Sequence, residues 1–325
     1  MQLINNASYK HVSLIFSSAG SDSFPNKFND ILNDQNAKEF YFLKLSNNGE
    51  NCCFANSVVQ MFLRCAISLF SNKHSKCEFK FCQAFCELIK DFESRIDTAK
   101  TSRPLRVIAC INKTNLQDCY LNNSQQDSFE FFLDLISLSC KEIQQNFEIN
   151  FLSKNTCINC NNTRDFENVQ KSYYISLTRS LKDDEIDFNS LFSPCIHEYQ
   201  CLKCGFGIQS KATSYSVLGK FLILRISLED GDHRYETKIK NLNFDNPISL
   251  PGITGTFQCK SAIIHYSNGL TGSQKAGHYT CLVRINVDKK FKWLEISDEK
   301  SELKLGIPKD LKDVYLIMLE KKIEV

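Results

Sequence analysis

Residues 47–60, NNGENCCFANSVVQ, place two adjacent cysteines between a turn-forming Asn/Gly run and an apolar stretch of helical spacing. A cysteine at a helix start lies among backbone N–H groups that favour the thiolate, which is the nucleophilic form. By residue type alone Cys52 and Cys53 are equivalent, and a buried helix-start thiol without chemistry is the ordinary alternative. A thiol nucleophile also needs an imidazole in space and a polar group that fixes the imidazole's tautomer. Of the six histidines, His11 and His74 sit in polar stretches, His197 precedes a cysteine pair, His233 lies in the charged run EDGDHRYE, and His265 ends an apolar strand. His278 differs, because it follows SNGLTGSQKAG and opens HYTCLVRI. Its ring is predicted at the mouth of a strand beside a glycine-containing loop. KWLEISDE then offers Ser297 and Asp298 on a neighbouring strand.

A second constellation is Cys157-Ile-Asn-Cys160 with Cys201-Leu-Lys-Cys204. Each C-x-x-C turn presents two thiolates to one tetrahedral ion, and two such turns complete a closed four-cysteine site for structural Zn²⁺. Such a site lacks an open position, so it holds a projecting structure together and supplies no catalytic cofactor. The long segment between the pairs must form strands of its own. A redox role for either pair lacks the βαβ context of a thioredoxin motif. Cys195 is left as a spare thiol, and Cys82, Cys86 and Cys140 lie on apolar helix faces as small core hydrophobes.

These residues need elements to position them. Phe54, Val58, Met61 and Phe62 predict a helix over 54–70, and Phe81, Phe85, Ile89, Phe92 and Ile96 another over 79–96. Ser124, three residues before Asp127, reads as the cap of a third helix that buries Phe131, Leu135 and Leu138. From about residue 171, runs such as YYISLT, KFLILRISL, SAIIHY and DVYLIMLE predict an antiparallel sheet region. The order, helices then strands, reads as an α+β fold. The Asn/Ser-rich residues 1–40 have the composition of a disordered extension.

With 325 residues, 42% hydrophobic, the chain can bury a sizeable core. A net charge of +2 lacks the basic excess of a nucleic-acid binder. No export signal and no membrane-length apolar run is legible, which predicts a soluble cytoplasmic or nuclear protein with reduced thiols and no membrane partner.

Taken together, the motifs resemble the ubiquitin-specific proteases, papain-like cysteine proteases that remove ubiquitin. Their Cys box, roughly N-x-G-N-T-C-Y-M-N-S-x-L-Q, is matched by N-G-E-N-C-C-F-A-N-S-V-V-Q at 48–60. Asn56, Ser57 and Gln60 set the register, so the resemblance makes Cys53 the nucleophile and Asn48 the oxyanion-hole asparagine. GHYTCLVR resembles the His box, QQDSFEFFLDLI the QQD helix, and the two C-x-x-C turns the zinc-bearing fingers. The implied fold is a papain-like α+β domain over 41–322, with a helical thumb over about 41–145, β fingers over about 146–218 and a β palm over about 219–322. The implied function is thiol-dependent hydrolysis after the C-terminal glycine of ubiquitin, with ubiquitin or its conjugates as partner.

Three residues or segments depart from that pattern. Glu50 stands where the family has glycine, so a need for positive φ there would strain the loop. Ser297 replaces the usual Asp or Asn, with Asp298 expected to supply part of that role directly or through water. LILRISLED lacks the family's Lys-Arg pair. Glu50 and Ser297 point to a weak or inactive ubiquitin-binding pseudoprotease as the alternative, and the altered strand to an isopeptidase for another ubiquitin-like modifier.

Overall fold

The structure is a computed structural model that describes residues 40–70, 73–110, 120–165, 169–178, 185–187, 189, 192–227, 229–230, 233–234, 238–240, 244–267, 277–287, 290–304 and 314–322. The extension, His11 and most of the loop before His278 lie outside these residues, as do the side chains of His197, His233 and Cys195.

Helix α1 (Cys53–Met61) has every residue buried, as a helix surrounded by core must. The expected helix over 54–70 keeps α geometry only to Met61, then winds on as a π turn (Phe62–Ala66) and a 3-10 turn (Ile67–Leu69). Apolar spacing marks that the chain coils but not which carbonyl each N–H selects. Helix α2 (Lys80–Glu93) buries Phe81 and Phe85, which flank Phe62 with ring centroids 6.0 and 5.6 Å away. Helices α3 (Arg103–Ala109), α4 (Ser128–Ser137) and α5 (Lys141–Gln145) complete the helical layer. The cap of α4 is Asp127 rather than Ser124: its Oδ1 accepts the N–H groups of Phe129 at 2.7 Å and Glu130 at 3.3 Å. Ser124 lies too far upstream and donates to Asn122 Oδ1 at 2.6 Å.

Strands begin earlier than the change of pattern at 171. A small sheet contains β1 (Ile149–Cys157), β2 (Thr163–Asp165), β3 (Gln170–Ser172), β5 (Cys195–Glu198) and β6 (Ile208–Val217), while β4 (Ile175–Thr178) joins the main sheet. Polar alternation in β1 and β6 hid them from a reading that sought β-branched runs. The main sheet adds β7 (Phe221–Ser227), β8 (Thr256–Ser267), β9 (Gly277–Val287), β10 (Lys290–Ser297), β11 (Lys300–Lys304) and β12 (Val314–Lys321), in the order β11-β10-β9-β8-β12-β7-β4. Its pairs are antiparallel except β4 with β7, which is parallel.

Both faces of this sheet are covered, which is why β12 reads as an unbroken apolar run. Leu316 and Met318 face the helical core, whereas Ile317 and Leu319 join Trp293 and Leu282 in a second core behind. Helix α1 packs on β9, so the front core brings the start of α1 against the strand that starts at Gly277-His278.

Candidate active site

The start of α1 is held by its own motif residues. Gln60 Nε2 donates to Leu43 O at 2.5 Å, and Asn56 Nδ2 donates to Leu45 O and Ser46 O, each at 3.3 Å. Asn56 Nδ2 also donates to Asp298 Oδ1 at 2.7 Å. Asp298 Oδ2 accepts from Asn47 Nδ2 at 2.9 Å, and Asn47 Oδ1 accepts the Cys52 N–H at 2.7 Å. The turn between β10 and β11 is thus bolted to the loop before α1. Asp298 sits at φ +52, a left-handed geometry that Asp tolerates better than most residues.

The two cysteines face different partners. Cys52 Sγ donates to Ser46 O and to Asn47 Oδ1, each at 3.3 Å, and is fully buried. Cys53 Sγ receives the Tyr279 backbone N–H from β9 and lies 3.9 Å from Gln125 Nε2. Burial pushes the Cys53 thiol up to about 11; the Tyr279 N–H opposes that rise, and Asp298 and Cys52 add to it. One residue before Tyr279, His278 Nε2 lies 2.7 Å from Ser297 Oγ. The structure brings Ser297 to the ring, while Asp298 spends both carboxylate oxygens on Asn47 and Asn56. Asn48 stands exposed on the turn 48–50, where no hydrogen bond to its side chain occurs among the described residues.

Glu50 is unstrained. Positive φ falls on Gly49 (+73) and Asn51 (+49), one residue to either side, so the backbone turns without asking anything special of Glu50. Its carboxylate instead pairs with the Arg106 guanidinium on α3.

Sequence reasoning missed Gln125, His265 and Asn47. Gln125 Oε1 accepts the Gly277 N–H at 2.9 Å, and Gln125 Nε2 lies 3.4 Å from His265 Nε2. The buried His265 ring stacks on Tyr279 at 4.1 Å. A Cβ on Gly277 would come within 2.4 Å of Tyr266 O and 2.7 Å of His265 Nε2, so glycine is required there. The signal for Gln125 is present in the QQD string, whose capping pattern and family resemblance place a helix after it but give Gln125 no role of its own.

At the far end of the small sheet, Cys157, Cys160, Cys201 and Cys204 place their sulfurs within 4.8 Å of one another. The Cys157–Cys204 and Cys160–Cys201 sulfurs are 3.6 and 3.7 Å apart. Metal–sulfur bonds of about 2.3 Å in a tetrahedron require edges of about 3.8 Å, so the four thiols fit one ion. The two turns match: Asn161 N donates to Cys157 O at 3.0 Å and Gly205 N to Cys201 O at 2.8 Å, with Asn161 at φ +53 and Gly205 at φ +72. Without an ion the four sulfurs divide: the Phe206 backbone N–H draws the Cys204 thiol down to about 6 and backbone N–H groups also lower Cys201, while against the Asn162 backbone N–H burial and the neighbouring sulfurs push Cys160 up to about 12.

The sequence pattern of the ubiquitin carboxyl-terminal hydrolases matches residues 43–307, the stretch that holds α1, β9, β10 and the four-cysteine cluster. The chain belongs to the ubiquitin carboxyl-terminal hydrolase family. It is therefore a hydrolase that acts on ubiquitin, with the mixed helix and sheet fold of the ubiquitin-specific protease catalytic domain. Among solved structures it resembles the SAGA DUB module, comprising Ubp8, Sgf11, Sus1 and Sgf73, bound to monoubiquitin. That match has a TM-score of 0.66 at 16% identity and covers 92% of this chain and 74% of the other. No curated protein matches the chain by sequence. Among the described residues no helix is long and apolar enough to cross a membrane.

Proposed function

We propose that this hydrolase is a thiol-dependent deubiquitinase with Cys53 as its nucleophile. The carrying observation is the division of the cysteine pair: Cys52 is tied back to residues 46–47, while Cys53 abuts β9 one residue from His278. His278 takes the Cys53 proton, the sulfur attacks the carbonyl carbon at the C-terminal glycine of ubiquitin, and the imidazolium returns the proton to the leaving amine. Water then hydrolyses the thioester with His278 as base. Ser297 holds the ring, and Asn48 with the backbone N–H groups at the start of α1 receives the oxyanion. Exposure of Asn48 on its turn suits a side chain reserved for substrate.

Cys157, Cys160, Cys201 and Cys204 would hold a structural Zn²⁺, which when bound cross-links the two turns at the end of the small sheet. In this reading the helical layer, the main sheet and the small sheet are thumb, palm and fingers around ubiquitin. The release of Glu50 from any backbone strain removes the main support for the inactive alternative.

A ubiquitin probe with a C-terminal thiol-reactive warhead tests the reading. Wild type and Cys52→Ala are expected to be labelled and Cys53→Ala not. Well-folded wild type that stays unlabelled, or label that survives in Cys53→Ala, would overturn it.

A further inference from the structure

Arg106 is the largest buried cation near the cysteine pair. Its side chain is 1% exposed, Nη1 donates to Tyr120 O at 3.0 Å, and Nη2 donates to the carboxylate of Glu50, whose side chain is 37% exposed. The Tyr120 hydroxyl bonds in turn to Asp134 on α4, so the pair is anchored in the helical layer. A guanidinium buried to this degree is retained only with an acceptor. A carboxylate three residues before the nucleophile, left uncompensated, opposes both the thiolate and the oxyanion that forms on attack. The backbone makes no special demand on Glu50, which leaves its charge as the property that matters.

We propose that Arg106 is a positioning residue of the thiol reaction: it draws the Glu50 carboxylate into the helical layer and cancels its charge, so the oxyanion forms beside a neutral couple. This rests on Cys53 being the nucleophile. The Cys52 thiol senses both members of the pair, Arg106 lowering its pKa and Glu50 raising it, alongside burial, Asp298 and Ser102. Cys53 is faced by Tyr279 and, in the proposed reaction, His278 from β9, by Asp298 from the β10–β11 turn, by Gln125 from before α4, and by Cys52 and the Phe54 N–H from its own segment, so the pair reaches it by way of Cys52 and the shared turn. All of these stay constant across the variants below, so differences report the pair.

The test uses full-length Arg106→Met, Glu50→Gln and the double variant. It follows the pH dependence of Cys53 alkylation by iodoacetamide, located by mass spectrometry, together with kcat and KM on a ubiquitin C-terminal fluorogenic amide. Arg106→Met is expected to move the alkylation profile to higher pH and lower kcat about tenfold, with KM changed less than about twofold. Glu50→Gln is expected to move the profile to lower pH, and the double variant to return it to the wild-type position. A purely structural ion pair would make both single variants less heat-stable without opposite shifts; shifts of the same sign, or none, overturn the proposal. Should Arg106→Met not fold, Glu50→Gln alone still decides, since an unmoved profile refutes it. Failure of the underlying reading shows separately, as wild-type Cys53 that no ubiquitin probe labels.

Discussion

With its Oγ 2.7 Å from His278 Nε2, Ser297 orients the ring but brings no charge to an imidazolium. Ser297→Ala is expected to lower kcat about tenfold with little change in melting temperature, and Ser297→Asp to equal or exceed wild type. Asp298 acts on a different object, the loop before α1. Asp298→Ala takes the acceptor from Asn47 Nδ2 and leaves Asn56 Nδ2 only its two longer bonds to Leu45 O and Ser46 O, so a stability loss of about 1 to 2 kcal/mol should accompany its fall in kcat. Full turnover in Asp298→Ala would refute that role. Burial sets the resting chemistry of Cys53. Since its thiol is pushed up to about 11, alkylation of the free enzyme should still be rising with pH above 9, and a rate that levels off near neutrality would contradict it.

Among the elements, α4 links the QQD string to the site. Asp127 caps the helix through Oδ1 and accepts the Tyr315 hydroxyl of β12 through Oδ2, while Gln125, two residues earlier, joins Gly277 to Cys53. Loss of the cap costs about 1 kcal/mol. Asp127→Ala is therefore expected to lower the melting temperature by about 2 to 4 °C, and Asp127→Asn by less. Because the cap fixes where Gln125 leaves the helix, Asp127→Ala should also lower kcat. Unchanged kcat in a destabilised Asp127→Ala would show that the Gln125 bridge does not depend on the helix start.

For the whole molecule, the four-cysteine cluster ends a sheet whose strands β1 and β6 pair along nearly their full length. Protein purified without chelator is expected to carry about one equivalent of zinc, and less than about half an equivalent would exclude the structural ion. Chelation should raise amide exchange across residues 149–217 and leave the alkylation profile of Cys53 unchanged, because the cluster lies at the opposite end of that sheet from the main core.

The sequence by itself singled out candidate residues for the chemistry and determined the helix that starts at the cysteine pair, the strand opened by Gly277-His278 and the paired cysteine turns. Those features are written in local spacing, over distances that one turn or one strand spans. Only the tertiary structure decided which cysteine meets β9, that Ser297 rather than Asp298 reaches His278, that Asp298 serves Asn47 from 251 positions away, and that Glu50 answers a buried arginine 56 positions on. Hydrogen bonds between residues so far apart depend on how α1 packs against the sheet, and spacing along the chain carries no record of that packing.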